Sequence, residues 1–382
     1  MDTVNPRLKL RGIPLQCLGL DGKLMDKDDN CTMMPPELEV LTRILVDEHL
    51  NELMFNGHQH AYAEREGKLQ PITSPFKNEH DFEEALTLIT GMPNTVIIGR
   101  LQWDGMLPNG SRFHITRPPH SPDYATLSIR KFMPKHRGLE SLVVAGALSK
   151  KAAQFLDACV RARVNIMISG STSSGKTTML NALCSRVDIS ERIITIEDIP
   201  EIQLEHPNWV RLVAVPDERG GTLRECVVGS LRMRPDRLVV GECRSAEALE
   251  MLQAMNTGHD GGMTTLHANS SKDTLTRLES LILFHAGAEI PLRSLRRQIV
   301  DALDLIIHLK KDRNGKRQVE EILGLESMEG DIITRTSLFK REATKNDSKL
   351  LSTGMVPKFV ERFKERGVPL PQYFFDPMAL EE

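Results

Sequence analysis

The chain has 382 residues, 40% hydrophobic and 26% charged, which suits about two globular domains and argues against general disorder. A net charge of −3 excludes a chain-wide basic field for nucleic acid or anionic lipid, and aromatics at 4% argue against stacking platforms for single strands. The six cysteines form no C-x-x-C pair, which removes a tetracysteine zinc site and a disulfide framework as readings and fits a reducing compartment.

Taken in chain order, residues 1–35 alternate turn formers with short apolar stretches and read as an arm. An α+β domain is expected over 36–132. It opens with a helix carrying Leu38, Leu41, Ile44 and Leu45, followed by a hairpin over 61–67 and a short helix over 81–90. Strands are expected at 95–98, 112–115 and 125–130, with a turn at 107–110. Residues 133–150 read as linker and first helix. Beyond them, strand and helix patterns alternate over 151–335, the signature of a mainly parallel sheet. Strands are expected at 164–169, 193–196, 210–215, 238–240 and 263–266, with amphipathic helices between them. Residues 336–382 read as a tail with a helix near Phe359 to Phe363. The start of the chain has no signal-peptide core, and no apolar run nears the roughly 18–20 residues that span a bilayer. The expectation is a protein without a membrane span, cytoplasmic, and held at a membrane only by partners.

The segment Gly170-Ser171-Thr172-Ser173-Ser174-Gly175-Lys176-Thr177 matches the phosphate-binding loop G-x-x-x-x-G-K-[ST]. An apolar strand delivers it, and Thr177 and Thr178 open a helix with Leu180, Leu183, Cys184 and Val187 on one face. Backbone amides and the helix N-terminus suit the β- and γ-phosphates of a nucleotide, Lys176 bridges them, and the Thr177 hydroxyl suits Mg2+.

Hydrolysis needs a carboxylate on the metal side and a group that orients water. Glu242 ends the apolar strand Leu238-Val239-Val240-Gly241, and Glu197 ends Ile193-Ile194-Thr195-Ile196, followed by Asp198 and Glu201. Strand ends gather at the edge that holds the loop. Glu242 is therefore the candidate metal-side acid and Glu197 the candidate base, with the two roles open to exchange. His267 also ends an apolar strand and could touch a γ-phosphate or the attacking water. His259 suits a loop-stabilising role equally well. Arg130, Arg211, Arg219, Arg232, Arg234 and Arg244 are candidate phosphate-facing cations, Arg130 above all because it precedes the linker.

In this order the pieces resemble the secretion and pilus-assembly ATPases of type II and type IV machines. The carrying text is the loop at 170–177, Glu197-Asp198-Ile199-Pro200-Glu201, Val240-Gly241-Glu242-Cys243-Arg244, and Gly258-His259-Asp260-Gly261-Gly262 leading to His267. Within that superfamily, Arg232-Met233-Arg234-Pro235-Asp236-Arg237, Ser128-Ile129-Arg130-Lys131-Phe132 and Leu107-Pro108-Asn109-Gly110-Ser111-Arg112 look most like the CpaF/TadA group, the motors of tight-adherence pili. The resemblance covers about residues 38–335. It implies an α/β fold: a RecA-like ATPase domain with a mainly parallel sheet, preceded by a smaller α+β domain. It further implies a homo-hexamer with ATP and Mg2+ at a cleft to which Arg130 and His267 contribute, and a polytopic inner-membrane platform protein as partner.

Two features depart from the group. Met106 stands where it often has Arg, and residues 1–35 are short for its usual extension, so platform docking is expected to differ. The missing tetracysteine motif argues against the type II and type IVa extension branch. Two rivals remain: a nucleotide-gated scaffold that barely hydrolyses, and a conjugation-type motor acting on DNA, which the charge balance disfavours.

Overall fold

The computed structural model describes residues 41, 44–47, 49–65, 68–90, 101–107, 110–131, 138–215, 221–285, 290–312, 315–343, 348–368, 370–371 and 374–376. The arm over 1–35, the strand expected at 95–98, most of the linker and Arg219 lie outside them, as does part of the first helix. The chain divides into two compact units, Met1–Lys135 and His136–Glu382.

The first unit is a six-stranded antiparallel sheet in the order β3-β2-β1-β6-β5-β4. Its strands are β1 (Leu50–Asn56), β2 (His60–Arg65), β3 (Lys68–Ile72), β4 (Gln102–Met106), β5 (Arg112–Thr116) and β6 (Thr126–Arg130). The hairpin expected over 61–67 is β2, paired with β1 on one side and β3 on the other. Alternation puts Leu53 and Phe55 of β1, Phe113 and Ile115 of β5, and Leu127 and Ile129 of β6 into one core. Helix α1 (Glu79–Thr90) closes that face with Phe82, Ala85, Leu86 and Ile89, a 3–4 spacing. The side chain of Asn78 accepts from the Asp81 amide at its start.

The second unit is built on a nine-stranded sheet in the order β15-β14-β13-β12-β7-β11-β10-β8-β9. Strands β7 (Ile166–Gly170), β8 (Ile193–Glu197), β9 (Trp209–Val213), β10 (Arg237–Cys243), β11 (Met263–His267) and β12 (Leu305–Lys311) run parallel. Both faces are covered. Ile166 and Ile168 of β7 join one core with α2 (Leu139–Val144), α3 (Lys150–Arg161) and α4 (Lys176–Cys184). Met167 joins the other with α6 (Glu247–Asn256), α7 (Ser271–His285) and α8 (Leu292–Ala302), and α5 (Leu223–Ser230) adds Val227 there. Burial on both faces is why these strands read as near-continuous apolar runs. Helix α5 starts on a capping box made by Thr222 and Glu225.

Beyond residue 266 the structure adds strands that the sequence reading did not. The run Leu305-Ile306-Ile307-His308-Leu309 is wholly buried as β12, and such a short apolar run has no period that separates strand from buried helix. Strands β13 (Arg317–Glu329), β14 (Ile332–Ala343) and β15 (Ser348–Ser352) continue antiparallel from it. The first part of the stretch read as a tail is thus sheet, followed by α9 (Val360–Glu365), which matches the helix expected there.

Candidate nucleotide-binding site

Strand β7 reaches the sheet edge with every residue buried, and its last residue, Gly170, begins the loop. A β-carbon on Gly170 would stand 2.5 Å from the Leu309 carbonyl oxygen and 2.5 Å from Ser174 Oγ, so the chain leaves the strand here only as glycine. Ser173 at φ 58° and Gly175 at φ 99° adopt left-handed conformations, which turn neighbouring amides to one side as an anion-binding nest. Helix α4 follows, with Gly175 at its N-cap and no side chain capping it. Its first-turn N–H groups and its dipole therefore face the loop. Ser174 Oγ is buried without a hydrogen-bond partner. Ser171 and Thr172 are exposed, and Thr178 is half-buried beside Thr177.

Lys176 lies folded back into the loop. Its Nζ donates to the carbonyls of Gly170 and Ser171, each at 3.2 Å, and sits 3.3 and 3.4 Å from the two ring nitrogens of His267. Thr177 Oγ1 donates to Glu201 Oε2 at 3.1 Å. Asn181, one turn on, donates to the Thr177 carbonyl and accepts from the Gln203 amide, tying α4 to the segment after β8.

That segment is organised by Glu197. The residue is only 2% exposed. Oε1 accepts from the amides of Glu201 and Ile202, both at 2.8 Å, while Oε2 is buried with no partner. Its Cγ lies 2.9 Å from where a β-carbon on Gly241 would be, so Gly241 leaves the room Glu197 occupies beside Glu242. Burial outweighs the two amide bonds and pushes the Glu197 carboxyl up to about 7.

Glu242 leaves β10 one residue later. Oε2 accepts from Arg244 Nε and Nη2 at 2.9 and 2.6 Å. Oε1 lies 2.7 Å from His267 Nε2, within ion-pair range, without a well-aligned hydrogen bond. Arg244 Nη1 reaches Asp198 Oδ2 at 2.5 Å, linking the ends of β10 and β8. Burial and the neighbouring Lys176 hold the His267 pKa below its ordinary value, with Glu242 pulling the other way, so the imidazole is mainly neutral at pH 7.

The ends of β7, β8, β10 and β11 thus bring Lys176, Thr177, Glu201, Glu242 and His267 into one chain of contacts, with Glu197 supporting it. Glu201 is the residue to which sequence reasoning gave no role. Its signal was its place in the acidic stretch after β8, but only the fold of 198–202 turns it onto Thr177. Of the arginines, Arg244 enters the site. Arg211 instead stacks on Trp209 and donates to the Ile202 carbonyl on the outer strand. Arg232 and Arg234 are exposed in and after the turn over Leu231–Met233. Arg130 is the exposed end of β6 in the first unit, opposite Glu52 and Arg112 in the sheet register. His259 precedes β11 and so lies toward the other edge of the sheet. There Asn165 Oδ1 accepts from the amides of Gly261 and Gly262.

The donor set suits a nucleotide with magnesium. Amides and Lys176 offer only positive charge and donors. The Thr177 hydroxyl and the buried Glu242 Oε1, which accepts no hydrogen bond and faces His267 Nε2, offer oxygens of the kind Mg2+ accepts beside phosphate.

The chain matches the family model described as type II/IV secretion system protein over residues 39–354. The conjugal transfer protein TrbB of Rhizobium radiobacter is 34% identical over 226 residues, covering 58% of this chain and 67% of that one. The type IV secretion system protein VirB11 of Bartonella henselae is 27% identical over 334 residues, covering 77% and 94%. The fold is similar to that of the ATPase DotB of Legionella pneumophila, with a TM-score of 0.57 and 20% identity over 77% of this chain and 81% of that one.

Proposed function

This chain belongs to the type II/IV secretion system protein family, and from that premise we propose that it is a Mg2+-dependent ATPase motor, hydrolysing ATP to ADP and phosphate. The observation that carries the reading is the contact chain that joins Lys176 and Thr177 of the loop to Glu201, Glu242 and His267. A loop alone binds nucleotide; hydrolysis also needs a metal-side carboxylate and a group that orients water, and the acids and imidazole converging on the loop are of those kinds.

The amides of the loop and the start of α4 bind the polyphosphate. Lys176 then exchanges its two carbonyl acceptors for phosphate oxygens. Thr177 Oγ1 and Glu242 hold the cation, which when bound neutralises charge building on the phosphates. Neutral His267 hydrogen-bonds the γ-phosphate or the water. Glu197 accepts the proton of the attacking water at Oε2, its other oxygen being committed to two amides, and a carboxyl near 7 suits a base at neutral pH. Arg130 of the first unit is read as a further phosphate-facing cation.

At the level of the machine, we read the protein as a cytoplasmic homo-hexamer held at the inner membrane by a polytopic platform protein. Among the described residues no helix is long and apolar enough to cross a membrane. The phrases at 107–112, 128–132 and 232–237 favour a tight-adherence pilus as the driven fibre. A second reading, a motor for conjugal transfer, draws on the likeness to TrbB.

Phosphate release by the purified chain tests the chemistry. Turnover is expected to fall by about 100-fold or more in Lys176→Ala and in Glu242→Ala. Unimpaired release in either variant refutes that residue's role, and a wild type that binds Mg-ATP without turnover leaves the scaffold reading.

A further inference from the structure

The antiparallel half of the sheet also reaches the phosphate loop. In the parallel pair of β12 with β7, Leu309 stands opposite Gly170. In the antiparallel pair of β13 with β12, Arg317 stands opposite Lys311. That register carries the start of β13 past the point where β7 turns into the loop. There Arg317 Nε donates a 3.0 Å hydrogen bond to the carbonyl of Ser173, 144 residues earlier in the chain. Arg317 Cδ also comes within 3.6 Å of where a side chain on Gly175 would begin.

Ser173 is the residue that makes this contact informative. It holds φ 58°, a left-handed conformation that disfavours a residue with a β-carbon. Such a residue inside a phosphate loop turns adjacent amides toward the anion. Its carbonyl here faces β13, where the guanidinium receives it. A strained loop residue persists only when its surroundings hold it, and Arg317 is a surrounding group that holds this one.

We propose that Arg317 is a positioning residue of the nucleotide site, whose Nε–H secures the Ser173 carbonyl and so keeps the loop amides turned toward a nucleotide polyphosphate. The inference rests on reading the loop as the nucleotide site and adds a part contributed by β13. It also separates two uses of the side chain. If the N–H at Nε matters, Gln is the closest replacement, because its amide nitrogen lies the same number of bonds from the backbone. If only charge matters, Lys is.

Equilibrium titration of the full-length chain with Mg-ADP, together with steady-state Mg-ATP kinetics, decides the matter. Arg317→Ala is expected to weaken Mg-ADP binding about 3- to 10-fold, the loss of one hydrogen bond at an exposed site. At saturating ATP, kcat is expected to change by less than about twofold. Arg317→Gln is expected to bind nearly as the wild type does, and Arg317→Lys as weakly as Ala. The reverse order, with Lys restoring affinity and Gln failing, overturns the proposal in favour of direct charge on the anion. Wild-type affinity in the Ala variant overturns it as well. Should the Ala variant fail to fold, the comparison of Gln with Lys decides alone. A wild-type chain that binds no Mg-ADP overturns the reading of the loop itself, an outcome distinct from any ranking of the variants.

Discussion

Replacing Glu197 with Gln keeps an oxygen for the amides of Glu201 and Ile202 while removing the ability to take up a proton. If Glu197 is the base, Glu197→Gln lowers kcat by about 100-fold or more; a rate near wild type would make Glu197 a tether that presents Glu201 to Thr177. The same variant carries a pH prediction. The Glu197 pKa rises from 4.5 in the unfolded chain to about 7 in the folded one, chiefly through burial, so folding favours the protonated form. The stability this gives is fully present below pH 4.5 and is lost as pH rises through 7. Between about pH 5 and pH 8.5 the wild type should therefore lose up to roughly 3 kcal/mol relative to the Gln variant. Parallel urea melts at the two pH values check this, and equal losses in both proteins would contradict it. Gly170→Ala places a methyl 2.5 Å from a backbone oxygen and should cost roughly 1–3 kcal/mol with impaired nucleotide binding. At this scale Lys176, Thr177, Glu242 and His267 were legible because each sits in the loop or ends an apolar strand. Glu201 and Arg317 were not, because their roles depend on how the 198–202 segment and a strand 144 residues downstream fold back on the loop.

Among the elements, the parallel strands β7, β8, β10 and β11 announced themselves as apolar runs leading to Gly170, Glu197, Glu242 and His267, whereas the equally parallel β12 did not. The antiparallel extension did not, since β13 and β14 mix buried apolar residues with charges and their pairing is a long-range choice of register. It is nevertheless integral to the second unit. Phe155 of α3 is fully buried, with the rings of Phe339, Phe359, Phe363, Phe374 and Phe375 at centroid distances of 5.4–6.5 Å. Phe155→Ala should cost about 3–5 kcal/mol in denaturant unfolding of the second unit; a loss below about 1 kcal/mol would mean that this aromatic cluster packs loosely.

For the whole molecule, composition carried less than motif order did. A net charge of −3 says nothing of a motor, but it does bear on the choice between driven substrates. If the machine moves a pilin, ATP turnover should be unchanged by added single- or double-stranded DNA. Stimulation that falls steeply with salt would support the conjugal reading instead. Hexamer formation predicts that turnover per chain rises with protein concentration together with a six-chain particle in sedimentation.

The most direct measurement is a crystal structure of the chain with Mg2+ and a non-hydrolysable ATP analogue. The account predicts phosphates cradled by the amides of residues 170–177, Lys176 Nζ released from the Gly170 and Ser171 carbonyls, and Thr177 Oγ1 turned from Glu201 to the cation. A nucleotide bound elsewhere, or Lys176 and Thr177 still holding their present partners beneath it, would contradict the account.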